Sequence, residues 1–114
     1  DTWPDDVFVQ ISEAQVGRAI RTRRWKYCVD APDRSGVRDP NSPTYAEQYL
    51  YDLEADPYEL TNLIGLESHA ETSAVLRERL IRRMLAAGEQ APEIVPAPSR
   101  PSGQRRVSSV EAHS

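Results

Sequence analysis

Four carboxylates lie close together in the segment YLYDLEADPYELTNLI, residues 49–64. They are Asp52, Glu54, Asp56 and Glu59. Paired carboxylates can act as general acid and general base, or they can bind a hard cation such as calcium. A calcium loop also needs further oxygen ligands and a glycine that tightens its bend, and this segment contains no glycine. The spacing therefore predicts neither a catalytic pair nor a metal site in this chain.

Local structure accounts better for these carboxylates. Asp56 can cap the first turn of a helix, and Pro57 suits the first helical position because its missing N–H would have no partner there. The carboxylate three residues after Asp56 completes a capping box, and Asn62 suits a left-handed conformation that ends the turn. On this interpretation the segment forms one helical turn that directs Leu60 and Leu63 into the core.

A second group of side chains that could do chemistry is basic, and it surrounds a tryptophan. Its members are Arg18, Arg21, Arg23, Arg24 and Lys26. Arginine makes charge-assisted, bidentate hydrogen bonds to sulfate and phosphate groups, so this group can bind an anion. The alternative is a solvated strand face whose charges balance the acidic segment. We favour the alternative for most of the group, with Arg23 and Arg24 at the predicted hairpin tip as exceptions.

The single cysteine and the two histidines do not form a catalytic set. Cys28 has no histidine near it in sequence, so we expect a small hydrophobic side chain within a strand. His69 is predicted to be exposed in the first turn of a helix, and His113 lies near the C-terminus. The sequence has no glycine-rich phosphate loop and no metal-ligand spacing. The residues alone therefore predict a small domain without catalytic residues of its own.

The elements that must position these groups begin with short strands. Alternating or β-branched and aromatic runs predict strands at residues 7–11, 17–22, 25–29 and 48–53. The second and third flank Thr22-Arg23-Arg24, which predicts a hairpin with a basic tip. Strands this close in sequence favour an antiparallel sheet of three to four strands.

One helix follows the strands. From Ser68 onward, large apolar residues recur every four positions, at Leu76, Leu80 and Met84, and Gly88 supplies a stop. Such a stripe is typical of an amphipathic helix that packs on a sheet. The predicted fold class is therefore α+β, with the small antiparallel sheet packed by one C-terminal amphipathic helix.

The composition divides the chain into a folded part and a tail. Residues 91–114 are rich in proline and serine, which predicts a disordered or extended tail after a domain at residues 1–90. Within that domain, residues 30–45 form a long loop with three prolines, and loops of that length are functional or disordered.

Length and charge limit the classes of function. The chain has 114 residues, enough for one small domain, and a net charge of −4 that argues against a nucleic-acid partner. No apolar run approaches the length of a membrane span, so we expect no membrane partner either. The first residue is Asp1 rather than methionine, which suggests a processed chain or, as we favour, an excerpt from a longer protein.

Two stretches of the sequence resemble the C-terminal subdomain of type I sulfatases, in the alkaline phosphatase superfamily. Residues 21–27, RTRRWKY, are similar to a strand of the form R-T-x-x-(Y/W)-K-Y. Residues 50–63 are similar to the more specific pattern L-Y-D-L-x-x-D-P-x-E-x-x-N-L. With the helix, the resemblance covers about residues 7–88 and leaves the tail outside it.

The resemblance implies that the chemistry belongs to a large α/β catalytic domain on which this subdomain packs. In such enzymes the catalytic domain carries a cysteine in C-x-P-x-R that becomes formylglycine, and a calcium ion. Formylglycine is not expected here, because Cys28 is followed by Val29-Asp30-Ala31 and does not match that motif. The resemblance implies the calcium ion for the catalytic domain only. The chain alone is therefore expected to be inactive, with no catalytic residue and no metal ligand.

The resemblance also implies a rim of the substrate cleft. The loop at residues 30–45 and the hairpin tip are the places that can reach such a rim, so Arg23, Arg24 and Lys26 are the candidate residues for binding a sulfated anionic substrate. The expected partner is a sulfatase catalytic domain. The alternative is a free-standing, sulfatase-derived module that binds a protein partner or an anionic glycan. A large exposed apolar patch on the sheet favours the first interpretation, and a well-covered sheet favours the second.

Overall fold

Five strands and two helices make up the part of the chain that the computed structural model describes, residues 7–12, 16–31, 44–89, 92–101 and 107–113. A 3-10 turn at Glu67–His69 precedes the first helix. The elements are β1 (Val7–Ser12), β2 (Val16–Arg21), β3 (Trp25–Ala31), β4 (Thr44–Asp52), α1 (Ala70–Ala86), β5 (Glu93–Val95) and α2 (Ser109–Ala112).

The strands form one sheet in the order β1-β2-β3-β4-β5. The first three pairings are antiparallel, and β5 pairs with β4 in parallel. The predicted α+β class is confirmed, with five strands rather than three to four and with a mixed sheet. The fifth strand escaped prediction because three residues are too few to show an alternating pattern. Most of the predicted loop at residues 30–45 lies outside the described residues.

The predicted hairpin joins β2 to β3. Thr22 closes it, because its backbone N–H donates to the carbonyl of Trp25 (2.8 Å) and its hydroxyl accepts from the backbone N–H of Trp25 (3.0 Å). The two residues between them are Arg23 and Arg24, so the tip is basic as predicted. A threonine that uses both its backbone and its side chain fixes the turn without a glycine.

A β-bulge in β4 decides which side chains face the helix. Cys28 on β3 lies opposite Tyr49, whereas the next residue of β3 lies opposite Glu47, so Gln48 is extra in β4. A bulge shifts the alternation of side chains by one residue. Leu50 and Asp52 therefore lie on the same side as Glu47, the side that α1 packs against. We call this side the covered face and the opposite side the outer face.

The core lies between the covered face and α1. The predicted stripe of α1 is fully buried, with Leu76 and Leu80 at 0% exposure and Met84 at 1%. The sheet contributes several large side chains to the same cluster, among them Ile20, Trp25, Tyr27, Val29, Tyr45 and Leu50. The four-residue recurrence of Leu76, Leu80 and Met84 therefore predicted correctly which side of α1 is buried.

His69 belongs to this core, and the expectation that it is exposed is wrong. Its side chain is 4% exposed and packs edge-on against the ring of Trp25, with ring centroids 6.0 Å apart. It lies in the 3-10 turn before α1, and its Nδ1 is 2.8 Å from the hydroxyl of Ser68. The sequence placed His69 on the polar side of a helix, but the helix begins one residue later.

The tail packs against the folded part instead of leaving it. It is extended from residue 93 to residue 101, as expected, but Val107 and Ala112 further along are 4% and 0% exposed. Gly65 adopts a positive φ of 81°, and a Cβ there would lie 2.5 Å from the carbonyl oxygen of Pro98. Only glycine therefore permits the tail to pass this closely. Single buried residues in a polar segment give no periodic signal, which is why the packing was not predicted.

No helix within the described ranges is long and apolar enough to cross a bilayer.

The segment between β4 and α1 differs from its prediction at one leucine. Leu63 is buried at 6% exposure as expected, whereas Leu60 is 82% exposed. The chain adopts a left-handed conformation at Glu59 (φ 58°), and Leu60 follows it into solvent. The segment therefore holds the core through Leu63 and its neighbour Ile64, which is 7% exposed.

This difference predicts two unequal effects of the same substitution. We expect Leu63→Ala to lower the free energy of unfolding by about 2–5 kcal/mol, because it leaves a cavity in the core. The matched control, Leu60→Ala, should change it by less than about 0.5 kcal/mol, since the side chain is in solvent. Urea denaturation followed by circular dichroism measures both values. Equal losses in the two variants would contradict the assigned burial.

Candidate functional site

Three carboxylates of the acidic segment, those of Asp52, Asp56 and Glu59, are engaged by neighbouring protein groups. Asp52 forms an ion pair with Arg24, with its Oδ2 3.0 Å from Nη2, and accepts backbone N–H groups from Glu54 and Ala55 at 3.2 and 3.3 Å. The hydrogen bond to Asp52 raises the pKa of Arg24 above its ordinary value. Asp52 therefore fixes both the turn that follows β4 and the guanidinium at the hairpin tip.

Asp56 caps backbone amides, but in a wider turn than predicted. Its Oδ1 accepts from the N–H of Leu60 and its Oδ2 from the N–H of Thr61, both at 2.9 Å. The donors lie four and five residues ahead, and the backbone N–H of Glu59 donates to the carbonyl of Asp56 (3.0 Å), so the capped unit is one hydrogen-bonded turn with the residues that follow it, and not a helical turn. The left-handed residue is Glu59 instead of Asn62, and the Glu59 carboxylate pairs with Lys26 (3.1 Å) and completes no capping box.

Asn62 has a function that its predicted role did not include. Its side-chain oxygen accepts from the backbone N–H groups of Leu50 and Ile64, both at 3.0 Å, and its Nδ2 donates to the carbonyl of Gln48 at 3.1 Å. One amide therefore satisfies backbone groups on both sides of the bulge and ties β4 to the approach to α1. Aspartate could accept these bonds but could not donate the third.

Glu47 is a buried carboxylate with three hydrogen-bonding partners, and no pattern in the sequence pointed to it. Its side chain is 3% exposed. It accepts from the hydroxyl of Tyr27 (2.7 Å), from Nη2 of Arg77 (3.1 Å) and from the backbone N–H of Ala97 (2.9 Å). Burial and the charge on Glu47 raise the pKa of Tyr27 well above its ordinary value, so this phenol stays a donor.

A groove of about 320 Å³ lies beside Glu47, between the first half of α1 and the tail. Its lining includes Gly65, Glu67, Ser73, Arg77 and Ala97. Two of the charged groups that line the groove, Glu47 and Arg77, bind each other as a neutralised pair, and a third, Glu67, is exposed. Nowhere in the described part of the chain do three or more His, Cys, Asp or Glu side chains gather so as to hold a metal ion.

The predicted rim residues do not form a single cluster. Arg24 reaches Asp52 on the covered face, whereas Lys26 lies on the outer face with its Nζ 3.1 Å from Glu59 and 5.7 Å from the ring of Tyr49. Arg23 is exposed at the tip between them. One anion therefore cannot be bound by Arg24 and Lys26 together, and the prediction of substrate contacts applies to each residue separately.

Two further residues of the hairpin strands, Arg18 on β2 and Cys28 on β3, are buried. Arg18 is 2% exposed, and its Nε lies 2.9 Å from Glu89 at the end of α1, so it is not part of a solvated face. Cys28 is 4% exposed within β3, and burial raises the pKa of its thiol. A buried thiol with a raised pKa is a poor nucleophile, which agrees with its predicted role as a small hydrophobic residue.

No protein-family model matches the sequence, and no curated protein matches it. The resemblance to sulfatases therefore rests on the residues of the two quoted stretches, and the assignment is a proposal.

The capping contacts predict the effect of removing Asp56. We expect Asp56→Ala to lower the free energy of unfolding by about 1 kcal/mol, because two backbone N–H groups lose their acceptor. Glu54→Ala is the matched control: Glu54 is an exposed carboxylate, and its loss should change stability by less than about 0.5 kcal/mol. Calcium should not shift the melting temperature of the unmodified chain. A calcium-dependent increase that disappears in Asp56→Ala would contradict the structural role.

Proposed function

We propose that this chain is the C-terminal subdomain of a sulfatase, an enzyme that hydrolyses sulfate esters. In this proposal the subdomain has a structural role and contributes to the rim of the substrate cleft. The catalytic domain lies elsewhere in the protein and carries the reaction. The 114 residues have no activity by themselves.

The observation that carries the proposal is the use of the polar side chains in the segment that resembles the sulfatase pattern. Asp52 binds the hairpin tip, Asp56 caps the following loop, Glu59 pairs with Lys26, and Asn62 ties the loop to β4. Each of these residues occupies a position that the pattern specifies. A pattern whose polar residues all fix one connection is typical of a structural module, and this supports the likeness between segment and subdomain.

The outer face of the sheet favours a subdomain over a free-standing module. Val7 and Val9 on β1 are 44% and 42% exposed, and Tyr49 and Tyr51 on β4, on the far side of β2 and β3, are half-buried. The two tyrosine rings pack together, with centroids 5.0 Å apart. No described helix covers this side. An uncovered apolar face beside a covered one is expected where a second domain packs, and a catalytic domain is the occupant we propose.

The chemistry of the proposed enzyme requires residues that this chain does not supply. Formylglycine forms from a cysteine in an accessible C-x-P-x-R segment, whereas Cys28 is buried within a strand and is followed by Val29-Asp30-Ala31. The calcium ion of such enzymes needs a set of oxygen ligands, and the carboxylates of Asp52, Asp56 and Glu59 are bound to protein donors. Both groups therefore belong to the proposed catalytic domain.

The reading frame that contains these residues tests the proposal directly. We expect a C-x-P-x-R motif upstream of Asp1, and we expect the complete protein, produced with a formylglycine-generating enzyme, to hydrolyse 4-nitrophenyl sulfate. Replacing the cysteine of that motif by alanine should abolish hydrolysis. The matched control, Cys28→Ala, should leave it within about twofold, because Cys28 is remote from the chemistry. An upstream frame without the motif would overturn the proposal in favour of the free-standing module.

The rim role is best tested at Arg23, because it is the exposed residue of the hairpin tip. In the complete enzyme we expect Arg23→Glu to raise the KM for sulfated anionic substrates by about three- to tenfold, because attraction is replaced by repulsion, with little change in kcat. Arg82→Glu on α1 makes the same change of charge at a side chain that is 71% exposed, and it should leave the KM unchanged. If Arg23→Glu left the KM unchanged for every sulfated substrate, Arg23 would have no rim role.

A further inference from the structure

The guanidinium of Arg24 is held by three different groups. Asp52 takes one edge, through Nε and Nη2, at 3.0–3.3 Å. The ring of Trp25 lies against it, with its centroid 4.5 Å from the guanidinium carbon. Nη1, at the remaining end, donates to Oε2 of Glu111 on α2 at 3.4 Å. The first two contacts fix the guanidinium, and the third is the longest.

We propose that the Glu111 carboxylate occupies an anion subsite on Arg24 and that a sulfate monoester displaces it. The tail then regulates the rim: it holds its own carboxylate on Arg24 until a sulfated ligand arrives. This inference rests on the proposed function for the class of ligand, because sulfate esters are the substrates of sulfatases. The geometry of the subsite is a property of the 114 residues alone.

Several contacts hold the tail in place without using the carboxylate of Glu111. The tail is anchored by Val107 and Ala112 in the core, by the N–H of Val107 that donates to the carbonyl of Ser68, and by the indole N–H of Trp25 that donates to the backbone carbonyl of Glu111 (3.1 Å). None of these contacts uses the carboxylate. The Glu111 side chain is 29% exposed, so solvent and a small anion can reach it.

The preference for a sulfate monoester follows from charge. Exchange of one carboxylate for one sulfate monoester replaces a single negative charge by a single negative charge, so the balance around Arg24 and Asp52 is kept. A phosphate monoester carries nearly two charges above pH 7 and would add repulsion against Asp52. The free end of an arginine fork also matches the geometry of a tetrahedral oxyanion.

Titration of the isotopically labelled 114-residue chain with 4-nitrophenyl sulfate tests the proposal. Nuclear magnetic resonance can follow the Nε–Hε signal of Arg24 and the indole N–H signal of Trp25, which report on the guanidinium and on α2. We expect both signals to shift. Glu111→Gln, which keeps the backbone carbonyl and the side-chain shape, should tighten binding at least about threefold because the competing charge is gone. Glu78→Gln, which removes the same charge from the exposed face of α1, should bind as the unmodified chain does.

Further variants and ligands separate this subsite from general attraction between charges. Arg24→Lys keeps a charge opposite Asp52 but loses the fork, so it should weaken binding at least about threefold while circular dichroism reports a folded chain. At pH 8, 4-nitrophenyl phosphate should bind more weakly than the sulfate. Inorganic sulfate that bound as tightly as the ester would overturn the proposal, and so would equal affinities of Glu111→Gln and Glu78→Gln.

This experiment and the search of the reading frame fail independently. If the ester binds as expected but the reading frame lacks C-x-P-x-R, the subsite proposal stands and the sulfatase proposal is wrong. If the Nε–Hε signal of Arg24 does not shift but the reading frame has the motif, the subsite proposal is wrong and the sulfatase proposal stands.

Discussion

The carboxylate of Glu47 is the contact on which the arrangement of the molecule depends. It lies at the bulge of β4 and accepts hydrogen bonds from β3, from α1 and from the tail, through Tyr27, Arg77 and Ala97. A buried charge is costly unless paired and hydrogen-bonded, and here its oxygens have these three partners. Loss of any one partner leaves the others holding an under-satisfied charge. The sheet, the helix and the tail therefore all meet at this one group.

Local patterns predicted the elements whose signals are local. The hairpin, the four longer strands and the stripe of α1 follow from alternation and from a four-residue recurrence, and Leu76, Leu80 and Met84 are buried as that recurrence requires. The parallel strand β5 could not be predicted this way, because its three residues gain their partners only after the chain has crossed α1. The burial of Val107 and Ala112 is likewise decided by what lies opposite them.

The candidate site was predictable in its residues and less so in their roles. Asp56 was expected to cap a helical turn; it does cap backbone amides, yet its turn is not helical, and Glu59 rather than Asn62 takes the left-handed conformation. Asn62 instead satisfies backbone groups on β4 with its side chain. A single sequence shows that an asparagine suits a turn, but which backbone groups need its amide depends on the bulge, a feature of strand pairing.

The same reasoning explains why the charge pattern was ambiguous. The acidic and basic groups that resembled sites are joined to each other over long distances in sequence: Arg24 pairs with a residue 28 positions away, Lys26 with one 33 away and Arg18 with one 71 away. Each pair connects two segments that are distant in sequence, so these charges stabilise the packing of the fold. A charged side chain is available to recognise a substrate or partner where it lies at the end of an element and is either solvent-exposed or paired with a solvent-exposed group. The hairpin tip meets that condition, since Arg23 is exposed there and the second partner of Arg24 is the partly exposed carboxylate of Glu111. The proposed rim function therefore lies at the tip, whereas Arg18 and Lys26 are held in ion pairs within the fold.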